Sequence, residues 1–385
     1  MTALGFSHVS PRSHHLQPSV ESAPTGPAAT ALAPPLGWED VRRARLQLAI
    51  WIILAAFCVI VTFSPLRSGY TDGPRFNAPT DVDLYEAEID RMRRGQGYYE
   101  AAAAELRSRG YPTASIFNWR TPLPMWLIAN LPERGGQALL AVLAGGLVLA
   151  GFLWIAGEAG LLAGAVAAVL LFGAVMPCFL GPLYVMPVLW AGALIGLSVA
   201  AYGFDRPIAG CLLGLAALFC RDLAGPYTVA CLLLAWRQGR RSEAVLWLAG
   251  LAVYGAFFAW HVAQVRSLLG PHELAHEEGW LRFGGAPFVI STVQMNAFLL
   301  VSPQWLAALY LVAALAGVAA WASPAGQRVG YVLAMYVGLF AVVGQPFNQY
   351  WGAMLAPLFA LGAALAPQTF RKLASIALAP APASC

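Results

Sequence analysis

Asp81 and Asp83 stand two residues apart in the longest polar stretch of the chain. Carboxylates in that pattern offer two kinds of chemistry. Either could act as a general base, taking a proton from an attacking hydroxyl. The pair could also hold a divalent cation such as magnesium or manganese through oxygen, and they are the candidate metal ligands if there is a metal at all. Asp at the head of a helix has a plainer use as well, accepting the backbone N–H groups left open there. Arg120 follows Trp119 where the polar stretch re-enters apolar sequence. A guanidinium at that depth can hold a lipid phosphate, or can simply anchor the segment beside its aromatic neighbour. Arg221-Asp222 is set between two apolar runs, where charge marks either a ligand pathway or a self-satisfied pair. His272, Glu273 and His276 give a literal H-E-x-x-H. On a helix this would place both imidazoles on one face, but a solvated loop accounts for it equally simply.

The elements that must position these residues are membrane spans. Apolar residues make up 59% of the 385-residue chain and charged residues 11%, against roughly half and about a quarter in a soluble domain. The apolar residues come in blocks of about 16 to 22, long enough to cross a hydrocarbon core as helices. Transmembrane β-barrels would show short alternating segments instead, and none is seen. The fold class is therefore all-α, a polytopic bundle. A net charge of +4, with most cations flanking spans, leaves no basic surface for nucleic acid. The six cysteines show no C-x-x-C spacing, so neither a disulfide framework nor a zinc site is expected.

Residues 1–40 are rich in Pro, Ala, Ser and Thr and read as a disordered tail. Arg42, Arg43 and Arg45 precede the first span at 46–63, which places the N-terminus in the cytoplasm and residues 64–121 outside as the first outer loop. Within that loop, 83–94 and 100–109 have helical character, separated by Gly95 and Gly97 and ended by Gly110 and Pro112. They are expected to lie along the membrane surface. Further spans fall at about 137–156, 160–176, 185–203, 207–221, 224–236, 243–264, 297–321, 328–344 and 350–366. Placing Arg206, Arg237, Arg240, Arg241, Arg328, Arg371 and Lys372 inside gives ten spans, or eleven if Pro122–Leu131 crosses. The membrane domain is then 41–370, with a second outer loop at 265–296 and a cytoplasmic tail at 371–385. Gln345, Asn348 and Gln349 end a span on the outer side, so the polar residues that topology leaves unexplained collect there.

Several stretches together resemble the GT-C superfamily, multi-span glycosyltransferases that use polyprenyl-phosphate-linked sugars. They are Thr80-Asp81-Val82-Asp83-Leu84-Tyr85-Glu86-Ala87, Gly97-Tyr98-Tyr99, Asn118-Trp119-Arg120-Thr121-Pro122-Leu123-Pro124, and Arg221-Asp222 followed by Gly225-Pro226-Tyr227. The likeness is to bacterial membrane mannosyl-, arabinosyl- and galacturonosyl-transferase-like proteins. It implies an enzyme of the inner (plasma) membrane with its active face outward. A hexosyl or pentosyl group would pass from a polyprenyl-phosphate donor to a glycan or lipid acceptor, with inversion, in cell-surface polysaccharide or glycolipid formation. Asp81 or Asp83 would be the base. Arg120, Arg221, Asp222, Tyr85, Tyr99, His272 and Asn348 would bind substrate or phosphate. A transporter or flippase of lipid-linked sugars, or a non-catalytic assembly protein, are the alternatives. The spans themselves are almost free of charge and show no internal repeat, which speaks against transport.

Overall fold

The computed structural model describes residues 38–64, 81–271, 273–275 and 282–379. Among them the regular structure is helical, with no strand. Five helical segments are long and apolar enough to cross a membrane: α1 (Trp38–Thr62), α5 (Gly135–Ala159), α6 (Leu161–Val175) with the 3₁₀ turn that extends it to Phe179, α10 (Arg241–Leu268) and α14 (Pro324–Val342). A sixth forms if the 3₁₀ stretch Pro346–Met354 and α15 (Ala356–Ala377), bent by 66° at their junction, count as one span. Three shorter apolar helices are α7 (Pro187–Gly203), α8 (Pro207–Cys220) and α13 (Gln304–Ala319). By helix length and composition this is a membrane protein, and its outer faces agree. Ile52, Ile53, Leu161 and Leu162 all point away from the protein, as residues facing lipid do and a soluble surface does not.

The middle of the bundle is built from small residues. From Ala356 to Ala366 every side chain of α15 is buried, and α7 is buried almost throughout. Without a water-driven hydrophobic effect between helices in lipid, close backbone approach supplies the contact energy. Gly317 of α13 shows how close: a Cβ there would fall 1.9 Å from the carbonyl oxygen of Gly362 on α15.

Three short helices form a layer at one end of this bundle: α2 (Asp81–Arg93), α3 (Tyr98–Ser108) and α4 (Pro122–Asn130). Two of them agree with the helical stretches read from the sequence, and the breaks fall at Gly95 and Gly110, both at positive φ, where only glycine sits without strain. Glu105 of α3 accepts from Arg91 Nε at 2.5 Å and Arg109 Nε at 3.1 Å, which staples α3 to α2. With nine residues, α4 is too short to cross. Instead it packs under α2 and α3 and against α8. The remaining elements are α9 (Gly225–Arg237), α11 (Gly285–Val293) and α12 (Ala297–Leu300).

Candidate active site

Helix α2 begins at Asp81, and the 3.6-residue turn sets Asp81, Tyr85 and Glu88 on one face. Tyr85 and Glu88 are buried there, while Asp83, about 200° away around the helix, is exposed. The two aspartates therefore do not converge on a common cation or a common substrate. Asp81 faces inward and accepts a hydrogen bond from Tyr111 Oη at 3.1 Å.

Within electrostatic reach of Asp81 lies Arg120, two residues before α4. Each of its guanidinium nitrogens is engaged: Nε donates to Tyr85 Oη at 2.8 Å, one terminal nitrogen to the Phe117 carbonyl at 2.7 Å and the other to Tyr350 Oη at 3.2 Å. Tyr98 Oη donates to its carbonyl oxygen at 2.5 Å. Arg120 is thus a hub that ties the surface layer to the stretch before α15. Burial pushes the Tyr85 phenol well above the usual tyrosine range, and Arg120, Asp81, Tyr350 and Arg221 all lie within electrostatic reach of it.

Arg221 is different. It caps the C-terminus of α8 and is 5% exposed, yet its only acidic contact among the described residues is Nε to Asp222 Oδ1 at 3.5 Å. That nitrogen has no hydrogen-bond partner among the described residues. Asp222 spends Oδ1 on the Leu223 N–H at 2.9 Å. Tyr254 of α10 lies within reach of both charges, and its buried hydroxyl also lacks a partner among the described residues. Buried donors without acceptors are rare in native proteins and call for a partner, whether water or a bound group. Asn348 adds another: it is buried two residues before Tyr350, with its Nδ2 unpartnered among the described residues.

The structure thus gathers Asp81, Tyr85, Arg120, Arg221 and Asp222 into one electrostatically connected cluster, with Asn348 on the stretch that supplies Tyr350. It does not bring Tyr99 there. Tyr99 turns to α10, where its hydroxyl meets His261 Nδ1 at 2.9 Å and its ring lies edge-on to Trp260. His272 lies outside the described residues. Glu273 is not on a helix. It takes hydrogen bonds from Arg107 at 2.6 Å, from Thr113 and from the Gly270 N–H at 2.9 Å, and these pull its carboxyl down to about 2. Its role is to clasp the second polar loop onto α3, and a zinc-protease arrangement finds no support in it. No group of three or more His, Cys, Asp or Glu side chains placed to hold a metal occurs among the described residues.

No family model, no curated protein and no solved structure matches this chain. The functional reading therefore rests on the site itself.

Sequence reasoning missed Tyr111, Tyr350, Tyr254 and Glu88. Glu88 was hidden among the other acids of the loop. Its carboxyl is 2% exposed, its Oε2 is unpartnered among the described residues, and burial raises it to about 8, with Arg120 opposing that rise. Tyr350 had a signal, since Gln345, Asn348 and Gln349 crowd the same span end. Tyr111 had none beyond its place between two helix breakers.

Proposed function

We propose that this protein is a membrane glycosyltransferase of the GT-C type, moving a sugar from a polyprenyl-phosphate donor to an acceptor hydroxyl at the end of the bundle roofed by α2, α3 and α4. The observation that carries the reading is Arg221: a buried guanidinium with unspent donors, in the same cluster as an inward-facing aspartate. A planar fork of N–H donors matches phosphate oxygens, and it is free to receive them because Asp222 holds it only loosely.

Each residue then has one task. Asp81, kept in place by Tyr111, takes the proton of the acceptor hydroxyl, which attacks the anomeric carbon from the face opposite the phosphate. The bond to phosphate breaks with inversion, and the leaving phosphate carries its charge onto Arg221. Arg120 contributes a fixed positive field but few free donors. A phosphate leaves without a general acid, so one carboxylate suffices. Asp83 points outward, which favours Asp81 as the base.

Ten spans suit this reading: α1, α5, α6, α7, α8, α9, α10, α12 with α13, α14, and the bent pair ending in α15. Helices α8 and α9 have 14 and 13 residues, short for a full crossing of about 20, as expected where the turn between them is sunk below the headgroups to meet a lipid phosphate. The membrane is the bacterial plasma membrane with the site outward and the N-terminus inside. The test is substitution in membranes supplied with lipid-linked sugar. Asp81→Asn should cut transfer by about 10² or more with normal insertion, and polyprenyl-phosphate sugar should accumulate, while Asp83→Asn retains most activity. Full transfer by Asp81→Asn would refute the assignment.

A further inference from the structure

At the opposite end of the bundle a groove of about 590 Å³ opens between α1, α13 and α15. Its walls are mostly apolar, with Trp51 and Ile50 on one side and Ala316 and Ala320 on the other, and its charged lining is two cations, Arg43 and Lys372, against one acid, Asp40. Helix α1 packs mainly on α13 and α15, with a smaller contact to α11, and just 11% of its apolar window is buried, so most of its surface faces lipid. The ends of α1 and α15 bring Arg42, Arg43, Arg45, Arg371 and Lys372 together, against Glu39 and Asp40. Of these cations, Arg42, Arg371 and Lys372 make no side-chain hydrogen bond or ion pair among the described residues. Arg43 pairs with Glu39 at 3.3 Å with both side chains well exposed, an interaction of little worth and easily exchanged. Arg45 has a structural use: its Nε donates to the Ala377 carbonyl at 2.9 Å and holds α1 against α15, fixing the groove's width.

We propose that this groove binds one anionic phospholipid, its phosphate held by Arg43 and Lys372 and its acyl chain lying along Trp51 and Ala320. Cations flanking a span set its orientation in any case, but orientation needs no apolar slot beneath them. A slot of this shape under one unpaired and one loosely paired cation, between helices that face lipid, is what selects an anionic headgroup. The site lies at the other end of the bundle from the candidate active site, and the inference is independent of the reaction proposed above.

Native mass spectrometry of the full-length protein in detergent, titrated with phosphatidylglycerol or with phosphatidylcholine of the same chains, reads the site directly. The expected result is a single phosphatidylglycerol adduct retained about tenfold more strongly than phosphatidylcholine. Arg43→Gln with Lys372→Gln should abolish the preference, while Arg237→Gln with Arg241→Gln, cations at the same end but off the groove, should keep it. Ala320→Phe fills the slot from an exposed position and leaves every charge in place, so it should lose the adduct without a change in melting temperature. Equal retention of both lipids, a preference that survives the Arg43/Lys372 exchange, or an adduct undiminished by Ala320→Phe would overturn the proposal. So would an adduct that forms only after residues 1–36 are removed, because the chain's own tail would then be the occupant.

Discussion

Glu88 carries a buried carboxyl whose Oε2 has no partner among the described residues. Burial raises it to about 8, and Glu105 and Asp81 add to the rise while Arg120 and Arg109 oppose it. In the unfolded chain a glutamate titrates near about 4.3. Between those two values the unfolded state gives up the proton and the folded state keeps it, so stability falls as pH climbs from about 4 to about 8 and levels off above. Glu88→Gln removes that loss. Near pH 4 the variant and the parent should melt together, and the variant should gain steadily to pH 8, by fluorescence-monitored melting in detergent. A constant difference across that range would mean that Glu88 stays ionised in the folded protein. The same arithmetic explains how Glu88 can sit so near the candidate base: protonated at neutral pH, it adds no second negative charge beside Asp81 and does not compete for Arg120.

At the scale of elements, the helices were legible where one force decided them. Gly95 and Gly110 cut the polar stretch into α2 and α3 because nothing else tolerates their backbone angles. The long apolar runs of α1, α5 and α10 could be little else in lipid. What the sequence did not show was the face of α2. Aspartates two apart on a helix point to different sides, and the choice between them rests on Tyr111, 30 residues away, and on Arg120 and Tyr350, the last two separated by 230. Tertiary partners at that separation leave no local pattern. Tyr99 was misleading for the same reason: adjacent to Tyr98, it lies about 100° further around α3 and turns to His261. The span count blurred where Pro, Gly and polar residues near the site shorten α8 and α9. Close packing deep in the bundle was equally silent in the sequence, although Gly317 makes it testable. Its Cβ position is already occupied by the Gly362 carbonyl, so Gly317→Ala forces α13 and α15 apart along the buried half of α15. A loss of at least about 2 kcal/mol is expected from such overpacking, seen as a drop in melting temperature. Gly338→Ala, with open space around it, should be neutral or stabilising. Equal melting of the two variants would show that α13 and α15 are not in contact at Gly317.

For the molecule as a whole, the question is whether the two ends differ as the proposed orientation requires. Three helices connect them. Arg206 precedes α8, which ends at Arg221; α10 runs from Arg241 past His261; and α14 starts beside Arg328 and leads to Tyr350. One end of each meets the topogenic cations and the other the candidate active site. Cations stay on the cytoplasmic side because moving them across during insertion is disfavoured, and the proposed orientation therefore opens the site on the other. Ser108, exposed at the end of α3, and Ser375, exposed near the end of α15, report the two ends. Cys58, Cys178, Cys211, Cys220 and Cys231 are buried and should react slowly, so replacing Cys385 with serine gives a quiet background. In that background Ser108→Cys should react with a membrane-impermeant maleimide on intact cells. Ser375→Cys should react only in inverted vesicles. Labelling of both from one side would break the alternation on which the ten-span path depends. Labelling with the sides exchanged would keep the path but turn the site inward, where a polyprenyl-phosphate sugar would have to be met before it is flipped.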